Sequence, residues 1–124
     1  MSLRVLVVDD EQRIADTLAL ILKQDGYVTR VAYDGASALQ LSTEFLPDLV
    51  ITDASMPEMS GIELALALLE TLPRCKFLLF SGQAATEEML RASKLGFDLP
   101  LLSKPVHPQD LLKKVAEILN RCQA

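Results

Sequence analysis

The chain has 124 residues, half of them hydrophobic, and its 17 acidic against 12 basic side chains give a formal net charge of −5. That length suits one compact domain spanning residues 1–124 and is short for two. The acidic balance opposes the phosphate attraction that nucleic-acid binding rests on, and the apolar runs fall far short of the roughly 18 residues of a membrane span, so neither DNA nor a bilayer is an expected ligand.

The first strand is expected at residues 4–8, where Val5, Leu6, Val7 and Val8 follow one another. Ile14, Leu18, Ile21 and Leu22 then fall on one face of a helix, and Gly26 offers its stop. A second strand at 28–32 leads to a helix at 36–45, with Asp34 as its cap and Pro47 after its end. The third strand, 49–52, is followed by a helix whose stripe is Ile62, Ala65, Leu66 and Leu69 and which stops before Pro73. A fourth strand at 76–80 precedes a fourth helix at 86–95. The fifth strand, 99–103, precedes a last helix opened by Pro108, with Leu111, Leu112, Val115, Ile118 and Leu119 on one stripe.

Strand and helix alternate five times with short connections, and the strands read as largely buried because apolar residues run on without polar alternation. The fold class is therefore α/β: a five-stranded parallel sheet with helices on both faces. Ligands of such sheets sit at the carboxyl ends of the strands, where strand order reverses. The residues at those ends are Asp9 and Asp10 after the first strand, Asp53 after the third, Ser81 after the fourth and Lys104 after the fifth.

Each has an ordinary reading as a helix cap, turn residue or solvated charge. Independent turn chemistry gives no reason for three acids, a hydroxyl and an amine to share one rim. Two unit charges about 4 Å apart repel by roughly 4 kcal/mol at an effective dielectric near 20. Three clustered carboxylates therefore call for a cation. An all-oxygen set with room for water suits Mg2+, and the absence of nearby His or Cys disfavours zinc. A divalent ion and the Lys104 ammonium would neutralise charge on a transferred phosphoryl group, and Asp53, alone at its strand end, suits the acceptor. The turn after the first strand is Asp-Asp-Glu-Gln-Arg, with no glycine-rich cradle, which rules out a Rossmann or P-loop nucleotide site.

These segments resemble the receiver domains of two-component response regulators along essentially the whole chain. The resemblance rests on Val7-Val8-Asp9-Asp10-Glu11, Asp25-Gly26-Tyr27, Asp34-Gly35-Ala36-Ser37-Ala38-Leu39, the loop from Asp53 to Gly61, Ser81-Gly82 and Lys104-Pro105, in that order. It implies the flavodoxin-like strand order 2-1-3-4-5 and Asp53 as phosphoacceptor. It also implies Mg2+ held by Asp9, Asp10, Asp53 and the Ser55 carbonyl, with Ser81 and Lys104 on the phosphoryl oxygens. Ser55 and Gln83 fall where receivers tune phosphoryl lifetime, and the Lys104-Pro105 bond is expected cis. The implied partners are a sensor histidine kinase or phosphotransfer protein and a downstream output domain or protein. A homodimer is allowed, and the setting is cytoplasmic, in keeping with an N-terminus, Met1-Ser2-Leu3-Arg4, that carries no secretory signal.

Phosphorylation is expected to switch the face made by the fourth helix, the fifth strand and the last helix. The family usually has Tyr or Phe three residues before the lysine, whereas this chain has Leu101. Output is therefore expected without an aromatic rotamer switch.

Two other classes compete with this one. A magnesium-dependent phosphohydrolase would need a second acid near its nucleophile, and Asp53 is followed by Ala54-Ser55. A degenerate interaction module would not need the acids, Ser81 and Lys104 that this chain keeps. The domain is accordingly expected to be no enzyme beyond gaining and losing its own phosphoryl group. It is either a complete single-domain regulator or part of a longer one. His107 reads as a helix-flanking residue, Met56, Met59 and Met89 mainly as packing, and Cys75 and Cys122 as ordinary thiols.

Overall fold

The computed structural model describes residues 3–81 and 100–120. In chain order these form β1 (Arg4–Val8), α1 (Gln12–Gln24), β2 (Val28–Ala32), α2 (Gly35–Phe45), β3 (Leu49–Asp53), α3 (Gly61–Thr71), β4 (Lys76–Ser81), β5 (Leu101–Ser103) and α4 (Pro108–Asn120). The helix expected at 86–95 and the start of the fifth strand at Leu99 lie outside the described residues. α4 is therefore the helix that the sequence places last.

All five strands are parallel, in the order β2-β1-β3-β4-β5. The chain leaves β1 for the β2 edge and returns to the other side of β1 as β3. The reversal thus falls between the carboxyl ends of β1 and β3, which carry Asp9 and Asp53.

Strand side chains alternate between faces, and each face builds its own core. Val5, Val7, Leu49, Ile51, Leu78 and Phe80 pack beneath α1 and α4. Leu6, Val8, Val50 and Phe77 pack beneath α2 and α3, against Ala38, Leu64 and Leu68. Leu22 of α1 and Leu68 of α3 are essentially sealed from water, and burial of one such side chain stabilises the fold by about 2 kcal/mol.

The central strands are buried as the sequence suggests, but β2 is not. Val28 and Arg30 are exposed, because β2 is an edge strand with a neighbour on one side only. Its exposed Arg30 lies 5.9 Å from the centroid of the Phe45 ring, and a charged outward side chain is a common protection for a sheet edge.

The helix starts follow local chemistry. The Asp34 carboxylate accepts from the Ser37 N–H at 2.6 Å. Ser60 and Glu63 form a reciprocal capping box at the start of α3, a Ser-x-x-Glu signal that fixes where the loop after Asp53 ends. α2 closes with Leu46 in the left-handed region at φ 51, immediately before Pro47.

Candidate functional site

The strand alternation that builds the α1-facing core also aims the site. Val5, Val7 and then Asp9 share one face of β1, and Leu49, Ile51 and then Asp53 share the same face of β3. Apolar stripes therefore end in carboxylates at one rim, and Lys104 follows Leu102 onto that face. Carboxylate oxygens of Asp9, Asp10 and Asp53 lie within 4.8 Å of one another. Lys104 Nζ donates to Asp53 Oδ2 at 3.0 Å. Four of the residues expected from the strand ends are thus brought together.

Asp53 is buried and held from two sides. Its Oδ1 accepts from the Ser55 backbone N–H at 3.1 Å, while Lys104 engages Oδ2. Lys104 Nζ also lies 5.2 Å from the centroid of the Phe80 ring, so a fixed aromatic face steadies the ammonium beside Asp53. Burial lowers the pKa of this ammonium, but the hydrogen bond and charge of Asp53, with Asp9 and Glu11 behind it, outweigh that and raise it. Lys104 stays protonated.

Asp9 is fully buried. Its Oδ1 accepts from the Glu11 N–H at 2.9 Å, whereas Oδ2 is buried with no hydrogen-bond partner among the described residues. Burial, assisted by the Asp53 charge and the neighbouring Asp10 carboxyl, pushes its carboxyl up from 3.8 to about 6 against the pull of the Glu11 N–H and Lys104. A buried polar atom without a partner costs roughly 1–3 kcal/mol, more for a charged group. This one faces two further carboxylates, and a hard cation satisfies all three; the donor set, oxygen throughout, fits Mg2+ chemistry. The helix-cap reading of Asp9 and Asp10 fails, since the N-cap position of α1 is Glu11. Asp10 is exposed, at the solvent side of the cluster.

Ser81 ends β4, buried, one ladder step beyond Phe80, whose Cα partner is Asp53. Ser55 is exposed, and its N–H already serves Asp53. Gln83 lies outside the described residues. Leu101 packs partly buried against Ala54, Ile62 and Leu79. His107 is exposed, and its carbonyl accepts from the Leu111 N–H at 2.9 Å as α4 opens, which is the flanking role expected. Met56 and Met59 pack against the core on the α2–α3 face, Met89 and Cys122 lie outside the described residues, and the Lys104-Pro105 bond is cis.

Three supports escaped the sequence reading. The buried Thr52 hydroxyl donates to the Asp53 carbonyl at 3.1 Å. Phe80 lies beneath Lys104, which strand alternation could have placed. Gly61 packs so tightly that a Cβ there would collide with the Asp53 carbonyl oxygen, while its N–H donates to the Ala54 carbonyl at 3.0 Å. The loop from Asp53 to Gly61 closes on itself only because residue 61 has no side chain.

Fold and rim together define a doubly wound α/β protein with an acidic, cation-compatible centre at its topological switch point. Comparison with known proteins makes this more particular. The family model of the response regulator receiver domain matches residues 5–116. The transcriptional regulatory protein CreB of Escherichia coli is 32% identical over 117 residues, 94% of this chain and 51% of that protein. The response regulator MprA of Mycobacterium ulcerans is 31% identical over 121 residues, 98% of this chain and 52% of that protein. The chain spans about half the length of these curated relatives.

Among solved structures, a signal receiver domain of an HD domain-containing protein from Pseudomonas fluorescens superposes with a TM-score of 0.90 at 28% identity, covering 99% of this chain and 98% of that one. A CheY-like receiver domain protein from Methanospirillum hungatei superposes at 0.86 with 31% identity, covering 94% and 93%. The chain belongs to the response regulator receiver domain family, the phosphoacceptor modules of two-component signal transduction.

Proposed function

We propose that Asp53 is the residue that takes the phosphoryl group, with Mg2+ held by Asp9, Asp10, Asp53 and the Ser55 carbonyl. The observation that carries this is the convergence of three carboxylates within 4.8 Å, one of them ending in a buried oxygen without a partner among the described residues and one paired with Lys104. When bound, the ion supplies neutralisation of charge on the phosphoryl oxygens.

The chain's own residues do the rest. Lys104 and the Ser55 N–H orient the Asp53 carboxylate, one oxygen each. An Asp53 oxygen attacks phosphorus, the bond from phosphorus to the donor breaks, and the electron pair leaves with the donor. Lys104 then pairs with a phosphoryl oxygen in place of Asp53 Oδ2, and the Ser81 hydroxyl donates to another. Ser55 and Gln83 set how readily water attacks the aspartyl phosphate, which frees the Asp53 carboxylate and releases inorganic phosphate.

The donor is a sensor histidine kinase or a phosphotransfer protein, and the receiver of the signal is an output domain or protein docked on the face of β5 and α4. The domain's catalysis is confined to its own phosphorylation and dephosphorylation, and its setting is the cytoplasm, where kinase nucleotide is available and thiols such as Cys75 stay reduced. Incubation with acetyl phosphate, with and without Mg2+, tests this. Stoichiometric labelling that chelation abolishes is expected. Labelling indifferent to chelation would contradict the metal role, and continuous turnover of unrelated phosphate esters would favour the phosphohydrolase reading.

A further inference from the structure

Beside the acceptor, on the same sheet face, lies a cleft of about 560 Å³, inside the roughly 300–1,000 Å³ range of small-molecule sites. Ile14 and Thr17 of α1, Phe80 of β4 and Val106 form its largely apolar wall, and Arg13 and Lys104 border it. Phosphoryl chemistry alone requires none of this apolar surface. Lys104 ties the two places together: its Nζ is 3.0 Å from Asp53 Oδ2 and 5.2 Å from the centroid of Phe80. Arg13 is exposed and forms no ion pair among the described residues.

Two cations over an apolar wall, in a chain of net charge −5, favour an occupant that is anionic at one end and hydrocarbon at the other. Next to a phosphoacceptor, that description fits the leaving group of an acyl phosphate. We propose that the cleft seats the hydrocarbon part of an aryl or branched-alkyl acyl phosphate, so that apolar acyl phosphates are better donors to Asp53 than acetyl phosphate. This rests on Asp53 being the acceptor. An Asp53 oxygen bonds to phosphorus, the phosphorus–oxygen bond to the acyl group breaks, and the carboxylate departs with the electron pair toward Arg13. No proton and no further reactant is needed.

Initial labelling rates of the whole chain with benzoyl phosphate and acetyl phosphate, both with Mg2+, give the test. Half-burying the extra phenyl surface corresponds to a preference of about tenfold in kcat/KM for the benzoyl donor. Thr17→Trp, at an exposed position that fills the cleft, should bring the benzoyl-to-acetyl ratio down several-fold, and taking the ratio within each protein cancels the intrinsic reactivity of the donors. Independently of any variant, benzoate but not acetate should shift the methyl resonances of Ile14 and Val106. A ratio unchanged by Thr17→Trp in a folded variant, or benzoate without effect on those methyls, overturns the inference while leaving Asp53 as acceptor. Labelling by neither donor would instead overturn the acceptor reading itself.

Discussion

Replacing Asp9 by Asn should make the cation-free protein more stable while impairing its site. Asp9 is fully buried, with one oxygen lacking a partner among the described residues, and its carboxyl is raised from 3.8 to about 6. A rise of about two units, at 1.36 kcal/mol each, makes its ionisation in the fold cost roughly 3 kcal/mol relative to the unfolded chain. Because the folded value is the higher one, the stability is fully present below 3.8 and is lost as pH rises through about 6. Asn keeps an acceptor for the Glu11 N–H and offers the neighbouring carboxylates a donor instead of a third charge. Allowing for its imperfect fit, the expected gain near neutral pH is about 1–2 kcal/mol.

Urea unfolding in EDTA at about pH 5 and about pH 8 reads this out. The parent should be more stable at the lower pH, and Asp9→Asn should lose most of that dependence. Mg2+ should reverse the ranking, since saturation at a hundredfold excess over Kd adds about 2.7 kcal/mol to a protein that binds it, and the variant binds it poorly. An Asp9→Asn protein less stable than the parent in EDTA near pH 8 would refute the reasoning.

Lys104→Met should lower the labelling rate at least about tenfold through loss of a charge-assisted hydrogen bond, and should cost about 1–2 kcal/mol of stability, since a partly exposed pair is worth less than a sealed one; labelling kinetics and urea unfolding measure the two effects. Gly61→Ala should cost about 2 kcal/mol or more in the same unfolding assay because the added methyl meets the Asp53 carbonyl, and the displaced loop should slow labelling. Cys75 is buried, and burial, with Asp48 nearby, pushes its thiol up to about 12. A maleimide should therefore modify it at the rate of unfolding, and rapid modification of the native protein would show the core to be looser than described.

The sequence carried much of the architecture where local signals and tertiary demands agree. The strand expected at residues 4–8 from the run Val5 to Val8 is β1, residue for residue, and Asp34 marked the start of α2 because a carboxylate three residues before a free N–H has one obvious use. The carboxylate rim was legible for a related reason: Asp9 and Asp53 each end an apolar strand, and polar residues there must face either solvent or a ligand. The exposure of β2 was not legible, because edge position is a property of strand order and not of the strand. Phe80 read as core, and only the ladder pairing with Asp53 shows that its ring also meets Lys104. The Asp9 oxygen that lacks a partner among the described residues was equally hidden, since satisfaction of a polar atom depends on what folds around it.

The most direct test of the central claim is to locate the phosphoryl group. The protein labelled by acetyl phosphate in Mg2+ can be reduced with borohydride, which converts an aspartyl phosphate to homoserine, and its peptides sequenced by mass spectrometry. The account predicts homoserine at Asp53 and none anywhere in Asp53→Asn. Homoserine at another aspartate of the parent, or undiminished labelling of the Asn variant, would contradict it.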